Sequence, residues 1–217
     1  MPTVNARRSY DSSGRRARAQ RNRALILDVA EQRFLQDGFA ATTMASVAER
    51  AGVSAETIYK AFENKAGLVR AIYERGLTGT GAVAAYDRSD EVRQQVDNPR
   101  ELMREWGLLT AEVASTVTPI LLLIRSAAAT DPSMAELLEA SNTHRLERME
   151  HNARFLADRG FLREGVSLSH ATDVMWTVSS PELYELLVLT RGWTSEQFAG
   201  FVAETMTAAL LPPQHAA

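Results

Sequence analysis

From Arg23 almost to the C-terminus, apolar residues recur three and four positions apart, and no useful length of chain alternates as a strand would. That spacing points to an all-α fold. Leu27, Ala30 and Phe34 share one face of a first helix, which Gly38 ends by accepting a left-handed conformation. Met44, Val47, Ala48 and Ala51 form the inner face of a short second helix, with Thr42 as its expected N-cap. Gly52 closes that helix, and Ser54 caps a third that turns Ile58 and Phe62 inward. A fourth opens at Asn64 or Lys65 and carries Leu68, Val69, Ile72 and Tyr73.

The remainder continues the pattern. Thr78 to Asn98 is ambiguous, and its charged part from Asp87 reads as a loop. Pro99 opens a helix with Leu102, Trp106, Leu109 and Val113 inside, and Pro119 is expected to begin a separate buried one. Asp131-Pro132 restarts the chain for a long helix that Gly160 stops. Ser167 or Ser169, then Ser180-Pro181, then Thr194 with Gln197 mark three more starts, and Pro212-Pro213 ends the last helix. The total is roughly ten helices with no internal repeat.

Composition narrows the partners. Residues 1–65 hold 11 Lys or Arg against 7 Asp or Glu, and the rest holds 13 against 20. A basic head on an acidic body suits contact with phosphate at one end only, although a loosely attracting basic tail has the same charge. Met1 to Asn22, with Arg7, Arg8, Arg15, Arg16, Arg18 and Arg21, has few apolar residues and is expected to be a flexible arm. There is no cysteine, which excludes disulfides and thiolate chemistry and fits a cytoplasmic setting. The basic N-terminus lacks the apolar stretch of a signal peptide. The run Pro119 to Ala129 is shorter than the ~20 residues of a membrane span and is interrupted by Arg125, so no membrane partner is expected.

Two short helices joined at a glycine, the second opened by a serine cap, make a helix-turn-helix. Ala48 and Ala51 are small enough for close crossing, Gly52 permits the turn, and Val53 and Ile58 fill the angle. The outer face of the second helix is then free to enter a major groove. The run Ala51-Gly52-Val53-Ser54, Thr57-Ile58-Tyr59, Phe62, Lys65, Leu68 resembles the TetR family of bacterial transcriptional regulators, most strongly from Ala24 to Leu68. Two positions depart from the family pattern. Ala61 stands where His or Tyr often reaches a phosphate, and Ala66 where a Glu often follows the lysine.

The resemblance implies a DNA-reading surface of Arg23, Thr43, Ser54, Ala55, Glu56, Thr57, Tyr59, Lys60 and Lys65. Thr43 would face the DNA backbone, and Thr57 a thymine methyl or a phosphate. Tyr59 resembles the family's phosphate-contacting tyrosine, or packs as an aromatic. Lys65 and the free N–H groups of its helix favour phosphate. Lys60 suits guanine; Glu56 either accepts from cytosine or is a solvated first-turn acid. The arm's arginines would enter a minor groove or attract phosphate loosely.

The implied organisation is a basic arm (1–22), a three-helix helix-turn-helix domain (23–68) and a helical effector-binding and dimerisation domain (69–217). Because one helix reads only a few base pairs, a homodimer on a palindromic double-stranded operator is expected. Ser169–Ser179 and Thr194–Leu211 are its candidate interface, with the apolar stripe of the last helix as its core. The effector pocket is expected around Trp106, Thr110, Arg125, Asn142, Met149 and Trp176. Arg125 fits either an acidic ligand or an internal ion pair. His144 and His151 share a face without acids at ligand spacing, so no metal or cofactor is expected. The chain has no GxSxG, P-loop, GxGxxG or HExxH motif, and an enzyme is not expected. The alternative is a helical small-molecule-binding module without specific DNA recognition.

Overall fold

The computed structural model describes residues 12–79 and 83–214. Among them there are ten α-helices, one π-helical turn and no strand. The chain divides into two compact units, Met1–Leu68 and Val69–Ala217.

The first unit holds α1 (Ser12–Ala41), α2 (Met44–Ala51), α3 (Ala55–Phe62) and the first turn of α4 (Lys65–Thr78). Residues 12–22, expected to belong to a flexible arm, are helical and continuous with α1; Arg7 and Arg8 lie outside the described residues. Those residues continue a helix whose next turns are held by burial of Ile26, Leu27, Ala30 and Phe34. Propagation adds one hydrogen bond per residue fixed, so a docked helix extends readily into polar sequence. Gly38 breaks α1 at φ 80°, ψ 170°, a conformation only glycine adopts readily.

The cap of α2 is Thr43, not Thr42. Thr43 and Ser46 form a reciprocal capping box, while Thr42 is buried and donates its hydroxyl to the Gly38 carbonyl at 2.9 Å. Val47, Ile58 and Leu68 are fully buried, each contributing about 1.5–3 kcal/mol by burial.

The second unit contains the rest of α4, α5 (Ala85–Gln95), α6 (Pro99–Ala128), α7 (Pro132–Asp158), α8 (Leu168–Val178), α9 (Pro181–Tyr184), the π-helical turn Glu185–Thr190 and α10 (Ser195–Leu210). The segment from Asp87, expected as a loop, lies mostly in α5. Its charges are satisfied laterally: Arg88 holds Glu112 of α6 through two 2.9 Å contacts, and Arg93 meets Asp90 at 2.5 Å. Pro119 does not start a helix but lies inside α6. It removes one intrahelical bond, a local loss set against a helix buried on both sides of it by Val117, Ile120 and Ile124.

α6 is long and apolar enough to cross a membrane by length and composition, yet it packs against α5, α7, α9 and α10. Gly107 allows the α10 crossing, since a Cβ there would lie 2.5 Å from the Ala199 carbonyl oxygen. The stripe of α10 expected at a dimer interface instead serves its own unit: Phe198 and Val202 are fully buried in the core, where Tyr184 meets Phe198 edge-on at 5.1 Å. Phe201, Thr205 and Ala209 remain half-buried.

Candidate functional site

α2 and α3 form the predicted helix-turn-helix. Gly52 takes φ 65°, ψ 32° and its N–H closes back on Ala48 and Glu49. Ser54 caps α3 by accepting from the Thr57 amide at 3.2 Å. Only Ile58 and Phe62 of α3 are buried. Glu56, Thr57, Tyr59, Lys60 and Ala61 are exposed, Tyr59 to 51%. Eight residues at 1.5 Å rise give a rod of about 12 Å, comparable with the width of a major groove. The geometry therefore brings Ser54, Glu56, Thr57, Tyr59 and Lys60 to one accessible element, with Ala55 half-buried and Thr43 exposed at the start of α2. The Thr57 hydroxyl is 2.9 Å from that of Ser54, so the cap fixes its direction.

Arg23 and Lys65 have internal partners. Arg23 donates to the Ala61 carbonyl at 3.3 Å and lies 4.5 Å over the Phe62 ring, tying α1 to the end of α3. Lys65 donates to the Phe39 carbonyl at 2.8 Å and lies 4.1 Å above that ring. Ala61 is thus more than a missing side chain, because its backbone anchors Arg23. Ala66 is buried.

The joint from α3 to α4 is a classic γ-turn, which sequence reasoning did not find. Glu63 adopts φ 66°, ψ −56°, and the Asn64 amide donates to the Phe62 carbonyl at 2.7 Å. Asn64 then caps α4 by accepting from the Gly67 amide at 2.8 Å. A Cβ on Gly67 would lie 2.1 Å from the Phe62 carbonyl oxygen.

The second unit contains a partly open cavity of about 110 Å³ between α4, α5, α6, α7, α8 and α10. Leu109, Val113, Met175 and Met206 supply apolar wall, and Arg145, Arg148, Ser89 and Asn152 supply polar groups. Arg148, whose side chain is 9% exposed, pairs with Asp90 and donates to the Tyr86 carbonyl at 2.9 Å. Arg145 donates to the Trp176 carbonyl and to the Ser179 hydroxyl at 3.2 Å, and lies 4.4 Å over the Trp176 ring. Burial pushes the Arg145 pKa down, and it pushes the Tyr86 phenol up to about 12. Asn152 is 4% exposed; its amide N–H reaches Ser89 at 3.5 Å, while its Oδ1 and the Trp106 indole N–H have no hydrogen-bond partner among the described residues.

Of the residues expected at a pocket, Trp106, Thr110 and Met149 line this cavity. Asn142 is exposed. Arg125 is at the surface, held by Glu182 at 2.8 Å and Glu185 at 2.9 Å. Trp176 backs Arg145 and is not part of the wall. Arg145, Arg148 and Asn152 were missed, although their spacing of three and four is itself the signal of one helical face. His151 lies 2.7 Å from Arg93 and is not paired with His144; no cluster of potential metal ligands occurs among the described residues.

Residues 26–72 match the family model described as bacterial regulatory proteins, tetR family. The HTH-type transcriptional regulator TtgR of Pseudomonas putida is 48% identical over 56 residues, 26% of this chain and 27% of that protein. The match therefore spans only about a quarter of that relative's length. The uncharacterized HTH-type regulator YdeS of Bacillus subtilis is 27% identical over 177 residues, covering 80% of this chain and 82% of that one. Among solved structures, SmeT of Stenotrophomonas maltophilia in complex with triclosan superposes with a TM-score of 0.70 at 25% identity. That superposition covers 89% of this chain and 93% of SmeT. SmeT is described as the repressor of the multidrug efflux pump SmeDEF.

Proposed function

We propose that the chain is a ligand-responsive transcriptional repressor of the tetR family, whose model residues 26–72 match. It acts in the cytoplasm as a homodimer on a palindromic operator, and a small molecule in the body releases it. The observation that carries this reading is α3: an eight-residue helix with a rigid cap, buried on Ile58 and Phe62 alone and open along the face of Glu56, Tyr59 and Lys60. In the groove, Lys60 reads guanine and Glu56 selects or rejects at one position. Thr43, Tyr59 and the N-terminus of α4 take phosphates, while Arg23 and Lys65 reach them from internal anchors.

The dimer uses the flank of α10 at Phe201 and Thr205 together with the exposed side of α8, because the Phe198–Val202 stripe is occupied in its own core. Leu186 and Leu189, 59% and 53% exposed, add apolar surface between these two helices in the sequence. The capture of triclosan by SmeT supports a ligand role for the body. α4 starts in the first unit, and its residues Tyr73 and Leu77 line the cavity, so a ligand that displaces them acts on a helix continuous with the DNA-reading unit. By linkage, DNA then weakens ligand binding by the same factor.

In vitro selection of bound duplexes from a random pool, followed by anisotropy titration, tests the reading. A two-fold-symmetric site bound far above random DNA is expected. Salt-sensitive binding without sequence preference refutes it and leaves a small-molecule-binding module with a basic surface.

A further inference from the structure

The cavity wall of the body holds a half-buried cation without a carboxylate partner among the described residues. Arg145 has no carboxylate within ion-pair distance among the described residues and donates only to a neutral carbonyl and a hydroxyl. The carboxylate whose field acts on it, Glu182, is engaged by Arg125 at 2.8 Å. Other arginines at or near the cavity differ: Arg148 and Arg93 share Asp90, and Arg88 holds Glu112. Burying a guanidinium without a counter-charge is costly, and a neutral residue would fit such a wall with less penalty. Its pKa is lowered mainly by desolvation, in keeping with that cost.

Two more groups at the same wall lack partners. The Trp106 indole offers a donor and the Asn152 Oδ1 an acceptor, and both side chains are more than nine-tenths buried. Most of the surrounding wall is apolar. The volume, about 110 Å³, is of the order of the ~150 Å³ engineered cavity that admits benzene, so a single ring fits it.

We propose that this cavity takes a small, single-ring organic monoanion whose carboxylate is bound by Arg145, with a second polar substituent reaching Trp106 or Asn152. This rests on the reading of the body as a ligand-binding domain and specifies its ligand class. Arg145 presents a planar fork that matches a carboxylate, and the Trp176 ring, 4.4 Å from its Cζ, backs the guanidinium.

The test uses benzoate and benzamide, a pair of nearly equal shape that differ in charge. Calorimetric titration of the full chain should show benzoate binding roughly tenfold or more tightly than benzamide, the ratio expected from one charge-assisted contact. Arg145→Gln should abolish the preference while leaving benzamide affinity unchanged. Arg145→Lys keeps the charge without the fork and should retain part of it. If Arg145→Gln does not fold by circular dichroism, the wild-type pair and Arg145→Lys decide. Equal affinities in the wild type, a preference that survives either substitution undiminished, or no benzoate binding overturns the proposal. The same samples are titrated with the selected duplex. Failure to bind DNA there, with the benzoate preference intact, overturns the regulatory reading and leaves the ligand class standing.

Discussion

Gly67→Ala sets two physical rules against each other. Position 67 lies in the first turn of α4, where alanine is the better helix former by about 1 kcal/mol. The added Cβ, however, would lie 2.1 Å from the Phe62 carbonyl oxygen. An unstrained contact needs roughly 3.5 Å, so about 1.4 Å must be found by moving backbone. No flexible side chain can yield, because the Phe62 carbonyl already closes the γ-turn and its chain is anchored by a fully buried neighbour four residues back, Ile58. Overpacking of this kind costs about 1–3 kcal/mol, and the upper part of that range applies where only backbone can move. After the helix-propensity gain, the net loss is ~1–2 kcal/mol. In urea this lowers the midpoint by roughly 0.5–1 M for a slope near 2 kcal/mol/M. A midpoint equal to or above that of the wild type would refute the close approach and with it the geometry of the α3–α4 joint.

Four other perturbations are informative. Lys65→Ala should lower the melting temperature through loss of the Phe39 clamp and reduce the salt slope of DNA binding by about 1; an unchanged slope would make Lys65 a clamp alone. Lys60→Ala should change the selected operator sequence with little effect on stability, and an unchanged preference would show that Lys60 does not read bases. Gly107→Ala should destabilise the body by roughly 1–3 kcal/mol in a thermal melt, because its Cβ meets the Ala199 carbonyl oxygen at 2.5 Å; wild-type stability would argue against the α6–α10 crossing. His151 has its pKa lowered, by desolvation first and then by Arg93 and Arg148, so the folded state binds fewer protons than the unfolded one. Its contribution is complete above the unfolded value near 6.5 and declines as pH falls towards the folded pKa. His151→Gln should flatten stability against pH in that window; an unaltered profile would assign the dependence elsewhere.

The first unit was legible because each of its joints has a chemical marker. Gly52, Ser54 and the pairs Ala48/Ala51 and Ile58/Phe62 each admit few conformations, and together they admit one. Thr42 and Thr43 show the limit: adjacent residues of equal capping propensity were separated only by which one the core buried. The inner face of α7 was hidden for a different reason. Its inner face runs through Met134, Leu137, Ser141, Arg145, Arg148, Asn152 and Leu156, so the polar residues point inward while Leu146 is 42% exposed. Of the two α7 residues expected at the pocket, Asn142 therefore lies off this face and is exposed, while Met149 borders the cavity. Polar residues placed inside a helical body break the hydrophobic pattern, and so the part of the candidate site that periodicity hides is the part most informative about chemistry. α5 was missed because its charges are neutralised by partners distant in sequence, Glu112 and Arg148.

If the chain binds DNA as proposed, the helical start of α1 alters what its arginines do on approach. Arg18 and Arg21 are three residues apart on an exposed helix that is tied at Arg23 to the end of α3. A flexible tail captures DNA from a wide radius and loses conformational entropy when it is ordered. A rod does the reverse: its reach is short, its charges arrive at a fixed spacing, and most of the ordering has occurred before encounter. On the proposed reading, phosphate attraction from this segment would be tied to the docking angle of α3, so that a duplex held in the wrong orientation would lose both contacts at once.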